Sequence, residues 1–215
     1  MELVGVGTER TTAATDAVLA VAALAAILLL RRRTPPSFGR AVWQAALAAT
    51  TMASVLGALA HGVDMTPATR ELLWQPLYLA LGVTMALFVV GAVRDWRGDA
   101  AGRRVLAPML ALAAVFYGIT RLTGGSFLAF VVYEAAALLF SLVVYLRLAG
   151  GPARAGAAAM AAAMAVSLAA GAVQASDARL RLLWEFDHNG VFHLVQLIGL
   201  ALLVAGLRRR LALQT

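Results

Sequence analysis

Seven long runs of apolar residues, separated by short polar breaks, constrain this chain more than any other feature. A helix needs about 20 mostly apolar residues to cross the hydrocarbon core of a bilayer. Since backbone polar groups must be satisfied internally there, such runs predict helices. The sequence therefore predicts an all-α integral membrane protein with seven transmembrane helices, over residues 12–30, 39–61, 71–93, 105–122, 126–148, 153–175 and 189–207.

The composition agrees with a protein built for lipid. Hydrophobic residues make up 62% of the 215 residues and charged residues 13%, against roughly 45–50% and about 25% in soluble domains. Seven spans with short connections use the whole length, so we expect a single membrane domain over residues 1–215. Cysteine is absent, which excludes thiolate catalysis and Cys-ligated metal sites. Lysine is absent too, which excludes Schiff-base chemistry.

Arginine clusters beside the apolar runs predict the orientation. The first, third and fifth connections and the C-terminal end carry most of the arginines, including residues 31–33, 103–104 and 208–210. The opposite side has fewer, mixed with acidic residues. Since basic residues favour the cytoplasm, we expect an outside N-terminus and a cytoplasmic C-terminus, in the cell (inner) membrane. The clusters indicate contact with anionic lipid headgroups and not with nucleic acid.

Polar side chains at membrane depth are energetically costly and mark candidate functional residues. On span two they form a stripe at helical spacing that ends in His61. Glu134 lies roughly 12 Å inside span five, at 1.5 Å per residue. Because the spans alternate in direction, the polar residues of spans one, two and seven are predicted to meet on the extracytoplasmic side. The candidates are Asp16, Ser54, His61, Asp64, Glu134, His188 and His193.

The three histidines of the chain have the composition of a zinc site with an open fourth position. A water bound there can be activated as hydroxide. The sequence therefore predicts zinc bound by His61, His188 and His193. A nearby carboxylate would orient a histidine or accept a proton, and the candidates are Asp16, Asp64, Asp187 and Glu134.

This pattern resembles the seven-span hydrolase superfamily that contains the alkaline ceramidases and the adiponectin and progestin receptors. Ser54, His61 and Asp64 resemble the Ser, His and Asp of its second span, and residues 188–193 resemble the His-x-x-x-His pair of its seventh. The resemblance implies an N-outside topology, zinc held by the three histidines and hydrolysis of a membrane lipid amide or ester. It also implies that Ser54 stabilises the oxyanion.

Two positions depart from the superfamily pattern. Gly57 stands one turn before His61, where the superfamily has its Ser. The histidines of span seven are five residues apart, which places them about 140° apart on a regular helix. Either His188 lies at the helix start or at a bulge, or Asn189 stands at the first His position and a loop residue, His188 or Asp187, supplies the ligand.

Other classes of function fit the same residues. His61 and His193 could be the axial ligands of a b-type haem in an electron-transfer protein. Asp16, Glu134 and the histidines could form a polar relay in a carrier, or could hold the helices of a non-catalytic receptor together. Glu134 could also form a structural ion pair with Arg121.

Overall fold

Seven α-helices contain most of the residues that the computed structural model describes, which are residues 2–125, 127–151 and 154–212. All seven are long and apolar enough to cross a membrane, which confirms the predicted number of helices. The predicted starts of spans five and six, Ser126 and Ala153, lie outside the described residues. The helices are α1 (Gly7–Arg33), α2 (Phe38–Gly62), α3 (Pro67–Arg97), α4 (Asp99–Leu122), α5 (Phe127–Ala149), α6 (Ala157–Gln174) and α7 (His188–Ala212).

Local sequence signals explain where the second, third and fourth helices begin. The Ser37 side chain accepts a hydrogen bond from the backbone N–H of Arg40 at 3.1 Å and caps α2. Thr66 caps α3. The first residue of α3 is Pro67, which suits this position because a backbone N–H there would have no partner within the helix. Gly98 separates α3 from α4 with a φ of 87°, which a residue with a side chain rarely adopts.

Successive helices run in opposite directions, which gives the bundle two distinct ends. Leu3 pairs with Val63, so the start of α1 lies beside the end of α2. Arg210 contacts Asp95, so the ends of α3 and α7 meet at the other end. We call the first end the amino-terminal side and the second the carboxyl-terminal side. α3 is the central helix, with 72% of its most apolar segment buried against 17% for α4.

A small β-hairpin joins α6 to α7 on the amino-terminal side. Its strands are β1 (Leu180–Arg181) and β2 (Glu185–Phe186), paired antiparallel. The hydroxyl of Thr11 donates to the carbonyl of Glu185 at 2.8 Å, which holds the hairpin against α1. Strands of two residues carry no readable alternation of apolar and polar side chains, so the sequence did not predict them.

A buried ionic cluster joins four helices on the carboxyl-terminal side. Arg94 contacts Asp95 at 3.0 Å and Asp99 at 2.6 Å. Arg210 donates to the Asp95 carboxylate at 2.9 Å and the Tyr145 hydroxyl donates to it at 3.0 Å. The cluster thus connects α3, α4, α5 and α7. The sequence indicated Arg94 and Arg210 only as topology signals, but both are buried and paired.

Candidate functional site

A cavity of about 350 Å³, which we call the central cavity, lies among α1, α2, α3, α5, α6 and α7. Its wall changes in character along the bundle axis. The ionisable and amide residues lie toward the amino-terminal side, and the lining further in is mostly apolar apart from Thr50, Thr84 and Ser167. The polar part includes Asp16, His61, Glu134, Gln174, His188, Asn189, His193 and Gln196. The apolar part includes Leu47, Met85, Phe88, Leu200 and Leu203.

Asp16 of α1 and His193 of α7 form a buried pair in the polar part of the cavity. Their side chains approach to 3.3 Å between Oδ1 and Nε2. The other ring nitrogen, Nδ1, lies 3.0 Å from the hydroxyl of Thr15. Only 5% of Asp16 and 7% of His193 are exposed. Both ring nitrogens of His193 are therefore engaged by α1.

Thr15 connects His193 to the backbone of α1. Its hydroxyl donates to the carbonyl of Thr12 at 2.9 Å. The direction of its hydrogen bond with Nδ1 of His193 is set by the tautomer of the ring. Thr12, Thr15 and His193 thus join α1 to α7 beside Asp16.

Gly57 makes room for the Asp16 carboxylate. A Cβ at residue 57 would lie 2.5 Å from Oδ2 of Asp16 and 3.0 Å from its carboxyl carbon, which is closer than van der Waals contact allows. The superfamily that the sequence resembles has Ser one turn before its His. Here the space for a side chain at that position is filled by the Asp16 carboxylate of α1. Ser54 is buried and lines the same cavity two turns before His61.

Glu134 of α5 is a buried carboxyl group with no polar partner among the described residues. It is 3% exposed and lines the cavity. Gly171 of α6 lies opposite it, and a Cβ there would be 3.4 Å from Oε2, an ordinary van der Waals contact. No ion pair with Arg121 is present in the described part of the chain, and Arg121 is exposed at the end of α4.

His61 of α2 contacts Glu9 of α1, which is not among the predicted site residues. Its Nδ1 lies 2.7 Å from Oε2 of Glu9, in the first turn of α1. Its ring also packs edge-on against Trp74, with centroids 5.7 Å apart. The predicted partner Asp64 is exposed and is not among the residues that line the cavity. Glu9 was missed because the first span was predicted to begin at residue 12, one turn too late to include it.

His188 is the first residue of α7 and lines the cavity. Asp187, the residue before it, accepts from the backbone N–H of Gly190 and from the Thr12 hydroxyl, both at 3.0 Å. It therefore caps α7 and ties it to α1. The sequence left open whether His188 lies at the start of the last helix or in the preceding loop. In the structure it is the first residue of α7, and Asp187 is the cap.

Two amide side chains leave acceptor atoms free in the polar part of the cavity. Gln174 donates to the side-chain oxygen of Asn189 at 3.2 Å. The buried side-chain oxygens of Gln174 and Gln196 have no hydrogen-bond partner among the described residues. A buried acceptor without a donor is unfavourable, so a bound molecule that offers N–H or O–H groups would be stabilised here.

The three histidines predicted to bind zinc lie at different positions in the cavity wall. All three line one cavity, but within the described ranges no group of three or more His, Cys, Asp or Glu side chains is placed to hold a metal ion. His193 has both ring nitrogens engaged, and His61 has Nδ1 engaged by Glu9. Zinc therefore stays a prediction from the sequence.

Comparison with known proteins places the chain in a family. Residues 11–212 match the family of unknown function DUF6962. The chain belongs to DUF6962. The match runs from α1 to the end of α7, so it includes Asp16, Glu134 and His193, whereas Glu9 precedes it. No curated protein and no solved structure matches this DUF6962 member.

Proposed function

We propose that this DUF6962 protein binds one small amphiphilic molecule inside its helical bundle. The observation that carries the proposal is the division of the cavity wall into a polar part on the amino-terminal side and an apolar part further in. The polar group of the ligand would contact Glu134 and its neighbours, and an acyl or alkyl chain would contact Leu200 and Leu203. The amino-terminal side would face the extracytoplasmic space, as the arginine distribution predicts.

The free groups in the cavity define the chemistry of the ligand's polar end. The side-chain oxygens of Gln174 and Gln196 are buried acceptors without a described donor, and the Glu134 carboxyl group lines the same cavity. An amine, an alcohol or an amide N–H would satisfy them, whereas a carboxylate would add a further acceptor. The volume of about 350 Å³ is at the low end of the ~300–1,000 Å³ that ligand pockets occupy. A single-chain amphiphile fits this volume better than a two-chain phospholipid does.

Binding to protein in lipid nanodiscs tests the proposal. We expect a medium-chain alkyl amine or alcohol to bind in preference to the alkyl carboxylate of the same length. Glu134→Gln should weaken binding of the amine roughly 10- to 100-fold, since a hydrogen bond to a charged group is worth about 1.5–3 kcal/mol. Glu185→Gln, a substitution of an exposed acid on the hairpin, is the matched control and should have no effect.

A second variant tests the apolar part of the cavity. Leu203→Trp fills space between the helices and should abolish binding of the alkyl chain whatever its polar end. If amine, alcohol and carboxylate bind equally, and neither Glu134→Gln nor Leu203→Trp changes that binding, the cavity is not a ligand site.

A zinc-dependent hydrolase of a lipid amide or ester is the second candidate function. The observation that favours it is that His61, His188 and His193 all line one cavity, as the resemblance to the ceramidase and adiponectin-receptor superfamily implies. For His193 to bind a metal, its ring must first release Thr15 or Asp16. The bound amphiphile of the first proposal would then be the substrate.

Metal analysis of the purified protein distinguishes the two candidates. Stoichiometric zinc that is lost in His61→Ala and in His193→Ala, and kept in Glu185→Gln, would favour the hydrolase. Zinc absent from the wild-type protein, or unchanged after His193→Ala, contradicts it. The absorption spectrum of the same sample tests the haem alternative, which requires a Soret band that disappears in His193→Ala.

A further inference from the structure

A second cavity, of about 440 Å³, lies on the amino-terminal side, between the start of α3 and the end of α4. It is separate from the polar end of the central cavity, although Trp74 lines both. None of its charged residues takes part in the ligand binding proposed for the central cavity. Its wall includes Arg70, Trp74, Tyr78 and Arg121.

The charges of this second cavity are unbalanced. Its charged lining residues are Arg70, Arg121 and Glu71. Two positive charges and one negative charge leave a net charge of +1. Neither arginine forms an ion pair with another residue in the described ranges. The Nε atom of Arg70 is buried and has no hydrogen-bond partner there. A buried guanidinium donor without an acceptor is unfavourable, so the cavity favours an anionic ligand.

Other residues of the lining are joined by a hydrogen bond and an aromatic contact. The Tyr78 hydroxyl donates to the carbonyl of Gly125 at 2.7 Å, which fastens the end of the α4 segment to α3. Gly124 and Gly125 have φ values of 63° and 79°, which side chains disfavour. Trp74 packs against Tyr78, with ring centroids 5.7 Å apart. Aromatic residues of this kind are enriched at the level of lipid headgroups.

We propose that the second cavity binds a phosphate group, with Arg70 and Arg121 as its ligands. Arginine suits phosphate because its planar guanidinium donates two parallel hydrogen bonds to phosphate oxygens. The group can belong to an anionic phospholipid headgroup or to free phosphate. The volume favours the headgroup, since 440 Å³ exceeds what a lone phosphate fills. This site is independent of the ligand proposed for the central cavity.

Native mass spectrometry of the full chain, released from detergent, tests the site. The probes are phosphatidylglycerol, phosphatidylcholine and inorganic phosphate. We expect phosphatidylglycerol to bind at least about tenfold more tightly than phosphatidylcholine. Arg121→Gln and Arg70→Gln should each remove most of this preference. Arg179→Gln, which removes an exposed arginine on the same side, is the matched control and should leave the preference unchanged.

The outcomes separate the two sources of phosphate. Retention of phosphatidylglycerol in the presence of excess inorganic phosphate identifies a lipid headgroup site, and displacement by inorganic phosphate identifies a site for the free anion. Arg121 is exposed, so Arg121→Gln should fold even if Arg70→Gln does not. The proposal is overturned if phosphatidylglycerol has no preference over phosphatidylcholine, or if Arg121→Gln behaves as Arg179→Gln does.

Discussion

Gly57 is the residue on which the Asp16–His193 pair depends most directly. The carboxylate of Asp16 occupies the space that any side chain at residue 57 would need. Asp16 in turn contacts Nε2 of His193, whose Nδ1 contacts Thr15. The absence of a side chain at residue 57 of α2 thus allows Asp16 of α1 to contact His193 of α7.

Substitution of this glycine tests the packing at the residue scale. Gly57→Ala should displace the Asp16 carboxylate and lower the free energy of unfolding by about 1–3 kcal/mol, as overpacking of a filled interior does. Gly118→Ala on α4 is the control, because nothing lies within 4 Å of a Cβ built there, and it should be neutral or slightly stabilising. Thermal unfolding in detergent measures both.

A double-mutant cycle shows whether the clash with Asp16 is the cause. In an Asp16→Ala background the carboxylate is gone, so Gly57→Ala should cost much less than in the wild-type protein. An equal cost in both backgrounds would mean that the glycine is required for another reason.

At the scale of elements, the ends of α3 and α7 are held by the ionic cluster around Asp95. Its side chain is only 1% exposed and accepts from Arg210 and Tyr145 while it contacts Arg94. A buried carboxylate that serves two guanidinium groups cannot be removed without leaving charge uncompensated. The cluster therefore fixes how the carboxyl-terminal halves of these helices pack.

Asp95→Asn should be strongly destabilising. The loss of one partner from a buried ion pair costs about 3–5 kcal/mol, because the remaining charge stays in a medium of low polarity. Asp99→Asn is the matched control, since Asp99 contacts Arg94 but its side chain is 46% exposed. We expect a much smaller effect there, and similar unfolding temperatures for the two variants would argue against the cluster as a major source of stability.

At the scale of the whole molecule, the two ends of the bundle differ in kind. The amino-terminal side contains the polar part of the central cavity and the second cavity, whose two arginines form no ion pair within the described residues. The carboxyl-terminal side contains the closed ionic cluster, and most of the other arginines lie near it. Ligands would therefore enter from the amino-terminal side, which the arginine distribution predicts to be extracytoplasmic.

The chain has no cysteine, so single introduced cysteines can test this orientation. Ala175 and Ala100 are exposed alanines near opposite ends of the bundle, and replacing either one changes no charge. We expect a membrane-impermeant maleimide to label Ala175→Cys in intact cells and to label Ala100→Cys only after the membrane is opened. The reverse pattern would show that the arginine rule fails for this protein.

The number of helices followed from the sequence because hydropathy is a local property of the chain. Each apolar run is long and apolar enough for a membrane helix, and the described part of the chain has seven such helices. The polar candidates Asp16, Ser54, Glu134, His61, His188 and His193 were also visible, since polar residues are rare in apolar runs, and all line one cavity.

Which side chains contact each other across the bundle follows only from the tertiary structure. Asp16 meets His193 and Glu9 meets His61 because α1 lies between α2 and α7, and hydropathy contains no information about such neighbours. The choice of Glu9 instead of Asp64 depends on how far α1 extends beyond its apolar run. The sequence by itself determined the helices and the polar positions on them, whereas packing determined which of these polar side chains are in contact.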